Sequence, residues 1–132
     1  IHGQHAANYL GTVTAALAIP VFHLYDSLTR LALYPNVVKS EQSYILETIA
    51  AHQEKMKTWA HHAPMNHLHK FYLVEAERHR VLGENMEAMD YYDRAIKGAK
   101  ENEYINEEAL ANELAAKFYL EWGKEKIAQV YL

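Results

Sequence analysis

Apolar positions along the chain recur in blocks at three- and four-residue spacing, and no segment alternates with the period of two that marks a strand. His2 to Leu10 reads as the end of a helix closed at Gly11, and Thr12-Val13-Thr14 opens a second helix running to about Tyr34. Leu17, Ile19, Val21, Phe22, Leu24, Tyr25, Leu28, Leu31 and Leu33 cover a wide face of it, as expected of a helix packed on two sides. Pro20 removes a backbone donor, which predicts a kink there or a helix start close to it. Pro35 then ends the block, because the residue before a proline is pushed out of the helical region. Ser40 followed by Glu41 is a suitable N-cap for a third helix, which carries Tyr44, Ile45, Ile49, Ala50, Met56 and Trp59 inward and stops near His61. Ala63-Pro64 starts a fourth helix, to Leu82. Asn85 is expected to cap a fifth, to about Lys100, and Asn106 with Glu107 and Glu108 to open a sixth, to Trp122. A seventh begins at Lys124. The sum is an all-α chain of antiparallel helix pairs.

Within these blocks one pattern is written twice, forty residues apart: AERHRVLGENMEAMDYYDRAI and AAKFYLEWGKEKIAQVYL. Gly83 falls on Gly123, Ala76 on Ala116, Ala88 on Ala128 and Tyr91 on Tyr131, and a large apolar residue, Leu82 or Trp122, precedes each glycine. Self-similarity at such a period marks a stacked helical repeat. The alanines allow close approach of paired helices, and the glycines allow the chain to reverse between them. The clearest copies span residues 69–101 and 109–132 of a single segment covering 1–132. Repeat arrays carry polar caps at their ends. None is visible here, and the chain begins at Ile1 and stops within the second copy, so a piece of a longer protein is expected.

Composition narrows the function. Half of the 132 residues are apolar, and the net charge of −4 comes from interspersed signs with no basic run, which argues against a nucleic-acid footprint. With no cysteine there is neither a disulfide framework nor a thiolate metal site. No apolar run reaches the length of a membrane span, and no secretory leader is visible at the start. A cytoplasmic setting is expected.

The first copy resembles a tetratricopeptide repeat: Leu82-Gly83, then Ala88, Tyr92 and Ala95, with Tyr72 and Ala76 in the preceding helix. The second keeps Ala116, Tyr119, Gly123 and Ala128. The period is forty rather than thirty-four, the position of Ala76 is usually glycine, and the connection KGAKENEYINEEAL replaces the proline that often ends a repeat. The resemblance implies a right-handed superhelix whose first helices line a concave groove. It places Lys70, Leu73, Glu77 and Arg80 there from the first copy and Leu110, Glu113, Lys117 and Leu120 from the second.

A narrower resemblance covers nearly the whole chain. VFHLYDSLTRLALYP, APMNHLHKFYLVEAERHRVLGENMEAMDYYDRAI and ENEYINEEALANELAAKFYLEWGKEKIAQVYL look like one region of the large, mostly cyanobacterial, multi-sensor signalling kinases. In that family a serine/threonine-kinase-like domain and a nucleotide-binding ATPase precede the helical region, and a GAF sensor and a histidine kinase follow it. The resemblance implies a non-catalytic connector between the ATPase and sensor parts, with neighbouring domains or a signalling partner as its protein partners. A free-standing adaptor that binds a peptide in its groove is the alternative. Exposed apolar faces at either end predict a homodimer of the isolated piece. No phosphate-binding glycine loop and no kinase catalytic motif lies in this chain.

Candidate chemistry is sparse. Five of the nine histidines crowd together, at positions 61, 62, 67, 69 and 79. His67 and His69 are two apart and so leave a helix on different faces, no HExxH motif is present, and a histidine-rich helix junction is expected rather than a metal site. His23, with Asp26 three residues on, is expected to be a packed imidazole bonded to a neighbour rather than a phosphoacceptor. Glu107 and Glu108 suit a helix N-terminus, and Glu113 has Lys117 four residues on. Tyr91, Tyr92, Tyr104, Tyr119 and Tyr131 are expected mostly in the core. No nucleophile–base set can be assembled from these spacings. Neither enzymatic activity nor a cofactor is expected.

Overall fold

The computed structural model describes residues 19–132. The helix expected over His2–Leu10, its close at Gly11 and the opening at Thr12–Thr14 lie outside the described residues. Six α-helices follow one another: α1 over residues 19–33, α2 Lys39–His62, α3 Pro64–Val81, α4 Asn85–Glu101, α5 Ile105–Glu121 and α6 Glu125–Tyr131. A short 3-10 turn, Tyr34–Asn36, links α1 to α2, with Pro35 in its first turn. No strand occurs among the described residues.

Each helix runs antiparallel to the next. Ser27 and Asp26 meet His52 while Arg30 lies over Tyr44, so α1 and α2 run in opposite directions. The Gln53 side-chain amide donates to the Phe71 carbonyl and to Glu75 Oε1, which fixes α2 against α3. Tyr72 faces Tyr91, and the Cα of Gly98 lies beside His69. A methyl group on Gly98 would stand 3.1 Å from His69 Cβ, so the glycine sets how closely α3 and α4 approach. Leu24, Leu28, Leu31, Ile49, Leu73, Val74, Tyr92 and Tyr119 form one continuous core with Ala76, Ala88 and Ala128. Ala76, Ala88 and Ala128 are fully buried and Ala116 nearly so, which is the small-residue packing that the repeated pattern requires.

Three reversals are built alike. At Gly83 the amides of Gly83 and Glu84 donate to the carbonyls of Arg80 and His79. At Gly123 the amides of Gly123 and Lys124 donate to Leu120 and Tyr119. Both glycines are left-handed, at φ 76° and 79°. This pair of bonds is the Schellman arrangement that satisfies the last helical carbonyls. The third reversal joins α4 to α5 with the same bonds, Glu103 to Lys100 and Tyr104 to Ala99, and there Glu103 takes the left-handed conformation at φ 62°. The connection that reads as long in the sequence is therefore as tight as the other two.

The caps differ from expectation, and at α4 and α5 for the same reason. No side-chain cap bond forms at α2, α4 or α5, whose N-caps are Val38, Glu84 and Tyr104. Glu84 and Tyr104 also close the preceding helix, so each reversal delivers the chain straight into the next helix. Asn85 and Asn106 consequently lie inside their helices, as does Ser40 after Val38.

Candidate functional site

Alternate helices α1, α3 and α5 line a groove with a cavity of about 580 Å³. Its apolar sides come from Tyr25, Leu28 and Ala32 of α1 and from Leu110, Leu114 and Phe118 of α5, and Pro35-Asn36 lies at its margin. Its polar residues are Thr29, Glu77, Arg80, Lys117 and Glu121. The stripe at 25, 28, 29 and 32 follows from helical periodicity, which turns such positions to one side.

A hydrogen-bonded set holds two of these polar residues, Glu77 and Arg80. Arg80 grips Glu77 with two bonds, Nε to Oε2 at 2.8 Å and Nη2 to Oε1 at 3.2 Å. The buried Tyr92 hydroxyl donates to the same Glu77 carboxylate from α4. Arg80 Nη1 lies 3.8 Å from Glu121, whose side chain is largely exposed. Burial alone pulls the Arg80 pKa down, but the bonds and charge of Glu77 outweigh it and raise it. Burial, reinforced by the adjacent Glu77 carboxylate, pushes the Tyr92 phenol far above its ordinary range. The Tyr92 proton is thus held as a structural donor, not offered as an acid.

Of the residues placed in the groove by resemblance, Glu77, Arg80, Leu110 and Lys117 line it. Lys70 and Leu73 are buried, each 2% exposed, and do not line it. Glu113 lines a separate hollow beside Tyr131, so it and Lys117 belong to different surfaces. Leu120 is exposed and is not among the residues lining the groove. Alignment of the repeat positions does not place the α1 residues, Leu114, Phe118 or Glu121 in the groove. Only the stripe in α1 and the 110/114/117/118/121 stripe in α5 carried a signal for them.

Lys70 is buried because its ammonium crosses from α3 to α5. Lys70 Nζ and His69 Nε2 each lie 2.9 Å from Glu107 Oε1, and Lys70 also donates to the Asn66 carbonyl at 2.6 Å. Tyr104 covers the cluster: Lys70 Nζ lies 4.2 Å from its ring centroid, and its hydroxyl donates to Asn66 Oδ1 at 2.8 Å. Burial pushes the Glu107 carboxyl upward, but the bonds from His69 and Lys70 prevail and hold it below the usual carboxylate range. Glu107 is therefore an ion partner across the α3–α5 contact as well as a first-turn acid.

The remaining histidines are dispersed. His61 and His62 are exposed at the end of α2, and His79 stacks on Tyr91 and bonds Glu84 at 3.0 Å. His23 packs against His52 and Trp59, at centroid distances of 4.3 and 5.5 Å, but its Nδ1 has no partner among the described residues. Asp26, three residues on, accepts from Arg30 at 2.9 Å. Among the described residues no three His, Asp or Glu side chains converge as a metal site. Of the tyrosines, Tyr92 and Tyr119 are core residues. Tyr91, Tyr104 and Tyr131 are half-buried, and the Tyr131 hydroxyl donates to Asp93 at 2.6 Å. No helix among the described residues is long and apolar enough to cross a membrane.

Comparison with protein-family models, with curated proteins and with solved structures finds no match to this chain.

Proposed function

We propose that this chain is a non-catalytic, tetratricopeptide-like interaction module that docks a protein segment in the groove between α1, α3 and α5. The observation that carries this reading is the groove itself, in which apolar residues of α1 and α5 are interspersed with the charged Glu77, Arg80, Lys117 and Glu121. Recognition by stacked repeats uses this kind of surface, with apolar positions giving contact area and a few charges fixing register. The buried Glu77–Arg80–Tyr92 set favours binding over catalysis, since its donors and acceptors are committed to one another.

The sequence resemblance to multi-sensor kinases makes the bound segment a neighbouring domain of the same signalling chain, between ATPase and sensor parts, and makes the setting cytoplasmic. The complete reading frame tests that placement. Kinase and phosphate-loop motifs before this segment and a GAF and histidine-kinase part after it agree with the connector reading, and flanks without them select the free-standing adaptor.

The docking surface is tested by selecting displayed peptides on the wild-type chain with counter-selection on Leu114→Arg. The expected result is a family of peptides whose affinity falls at least about tenfold on Leu114→Arg or Lys117→Glu, the loss of one good contact. It should be unchanged on Glu113→Lys, outside the groove. Peptides indifferent to both groove substitutions would place the binding surface elsewhere.

A further inference from the structure

Three half-buried imidazoles meet where α1, α2 and α3 join, and their setting gives them little to hold a proton with. His23 of α1 and His52 of α2 lie 4.3 Å apart, edge to face. Trp59 of α2 lies 5.5 Å from His23 and 6.4 Å from His67 of α3, so the indole joins the two ends of the cluster. His52 Nδ1 is 3.2 Å from Ser27 Oγ, and the Nδ1 atoms of His23 and His67 are buried without a partner among the described residues.

The charges around the cluster are mostly positive. From α1, Asp26 stands 3.7 Å from His52 Nδ1, but it is already paired with Arg30 at 2.9 Å. From α2, Lys55 opposes a charge on either His23 or His52. From α3, Lys70 and His69 oppose a charge on His67, and Glu107 of α5, which favours it, is held by those same two residues. Two imidazolium rings at the His23–His52 separation would repel each other with a single shared carboxylate to offset them.

We propose that this junction is a proton-operated latch: proton uptake by His23 and His52 releases α1 from the α2–α3 pair and so opens one wall of the groove. α1 is suited to this part, since it contributes Tyr25, Leu28, Thr29 and Ala32 to that wall. The release of α1 stands on the cluster alone, and only its effect on a docked segment rests on the groove being the docking surface.

The direction follows from linkage. Burial holds all three imidazoles below their ordinary value of 6.5 in the docked state, so a released α1 binds protons more readily. Well above the ordinary value of 6.5 neither state is protonated and docking is unaffected. As pH falls below that value the released state takes up protons first, and docking weakens progressively.

The test follows Trp59 emission in the full chain carrying Trp122→Phe, which leaves Trp59 as its one tryptophan. On titration from about pH 8 to about pH 5, emission should move to longer wavelength with a midpoint below 6.5. The curve should be steeper than one proton allows, and far-ultraviolet circular dichroism should keep most of its helical signal. His23→Phe with His52→Asn, which keeps an aromatic ring and a polar partner for Ser27 but removes both protons, should abolish the transition. Asp26→Asn removes the carboxylate that favours protonation in the docked state, and should move the midpoint to higher pH. A transition unchanged in the double variant overturns the latch. So does Trp59 emission that stays constant until the helical signal is lost, or an Asp26→Asn midpoint that stays put or falls.

Discussion

Arg80 holds Glu77 by two hydrogen bonds of 2.8 and 3.2 Å, and through it ties the groove lining to the Tyr92 hydroxyl of α4. The carboxylate is 4% exposed, so its stability depends on these partners and not on water. Breaking a buried pair on one side costs about 3–5 kcal/mol, whereas replacing the whole set with apolar groups of similar size is often near neutral.

Arg80→Met should therefore destabilise the chain by about 3 kcal/mol. Arg80→Met combined with Glu77→Leu and Tyr92→Phe should recover most of that loss. Urea unfolding of the single and triple variants measures both. Equal losses in the two would mean that the set acts through shape and not through buried charge.

Glu103 carries a side chain where Gly83 and Gly123 carry none, at the same left-handed position of the same reversal. A left-handed conformation costs an L-residue about 1–2 kcal/mol, offset in part by the extra chain entropy of glycine when unfolded. Glu103→Gly should raise stability by about 0.5–1 kcal/mol. Gly83→Ala should lower it by about 1 kcal/mol, although a methyl group there meets no atom within 4 Å. Thermal unfolding of the two variants should shift in opposite directions.

Gly98 is different, because its constraint is space. Gly98→Val puts carbon where only 3.1 Å separates an added Cβ from His69 Cβ, and both atoms ride on helix backbone. Overpacking of this kind costs about 1–3 kcal/mol. The loss should be accompanied by weakening of the His69–Glu107 bond, visible as a change in the His69 imidazole nitrogen shifts.

Acid should reveal Glu107. Its carboxyl titrates below the ordinary value of 4.5 when folded, so its contribution is fully present above that value and is lost as pH falls through the folded one. The stability difference between wild type and Glu107→Gln should be constant above about pH 5 and shrink below it. A difference that grows with acid would contradict the assignment of Lys70 and His69 as its partners.

Much of the helix layout is legible in the sequence because its signals are local. Pro35, Pro64, Gly83 and Gly123 each act on the residue beside them, and the helix breaks follow. The reversal at Glu103 is not legible, since glutamate carries no turn preference and the left-handed position is imposed by the two helices it joins. Glu107 reads as a helix-start acid because spacing rules see one helix at a time, while its partners lie 37 and 38 residues earlier on α3. Lys70 was placed in the groove by alignment of repeat positions, and that same cross-helix pair draws it inside. The α1 wall depends on where a third helix docks, which no single helical stripe specifies.

The docking of a protein segment between α1, α3 and α5 is tested most directly by amide chemical-shift mapping of the full chain with a selected peptide. Perturbations should concentrate at Leu28, Ala32, Leu110, Leu114 and Lys117, with Glu113 and the α4 surface unmoved. Perturbations confined to α2, α4 and α6 would contradict it.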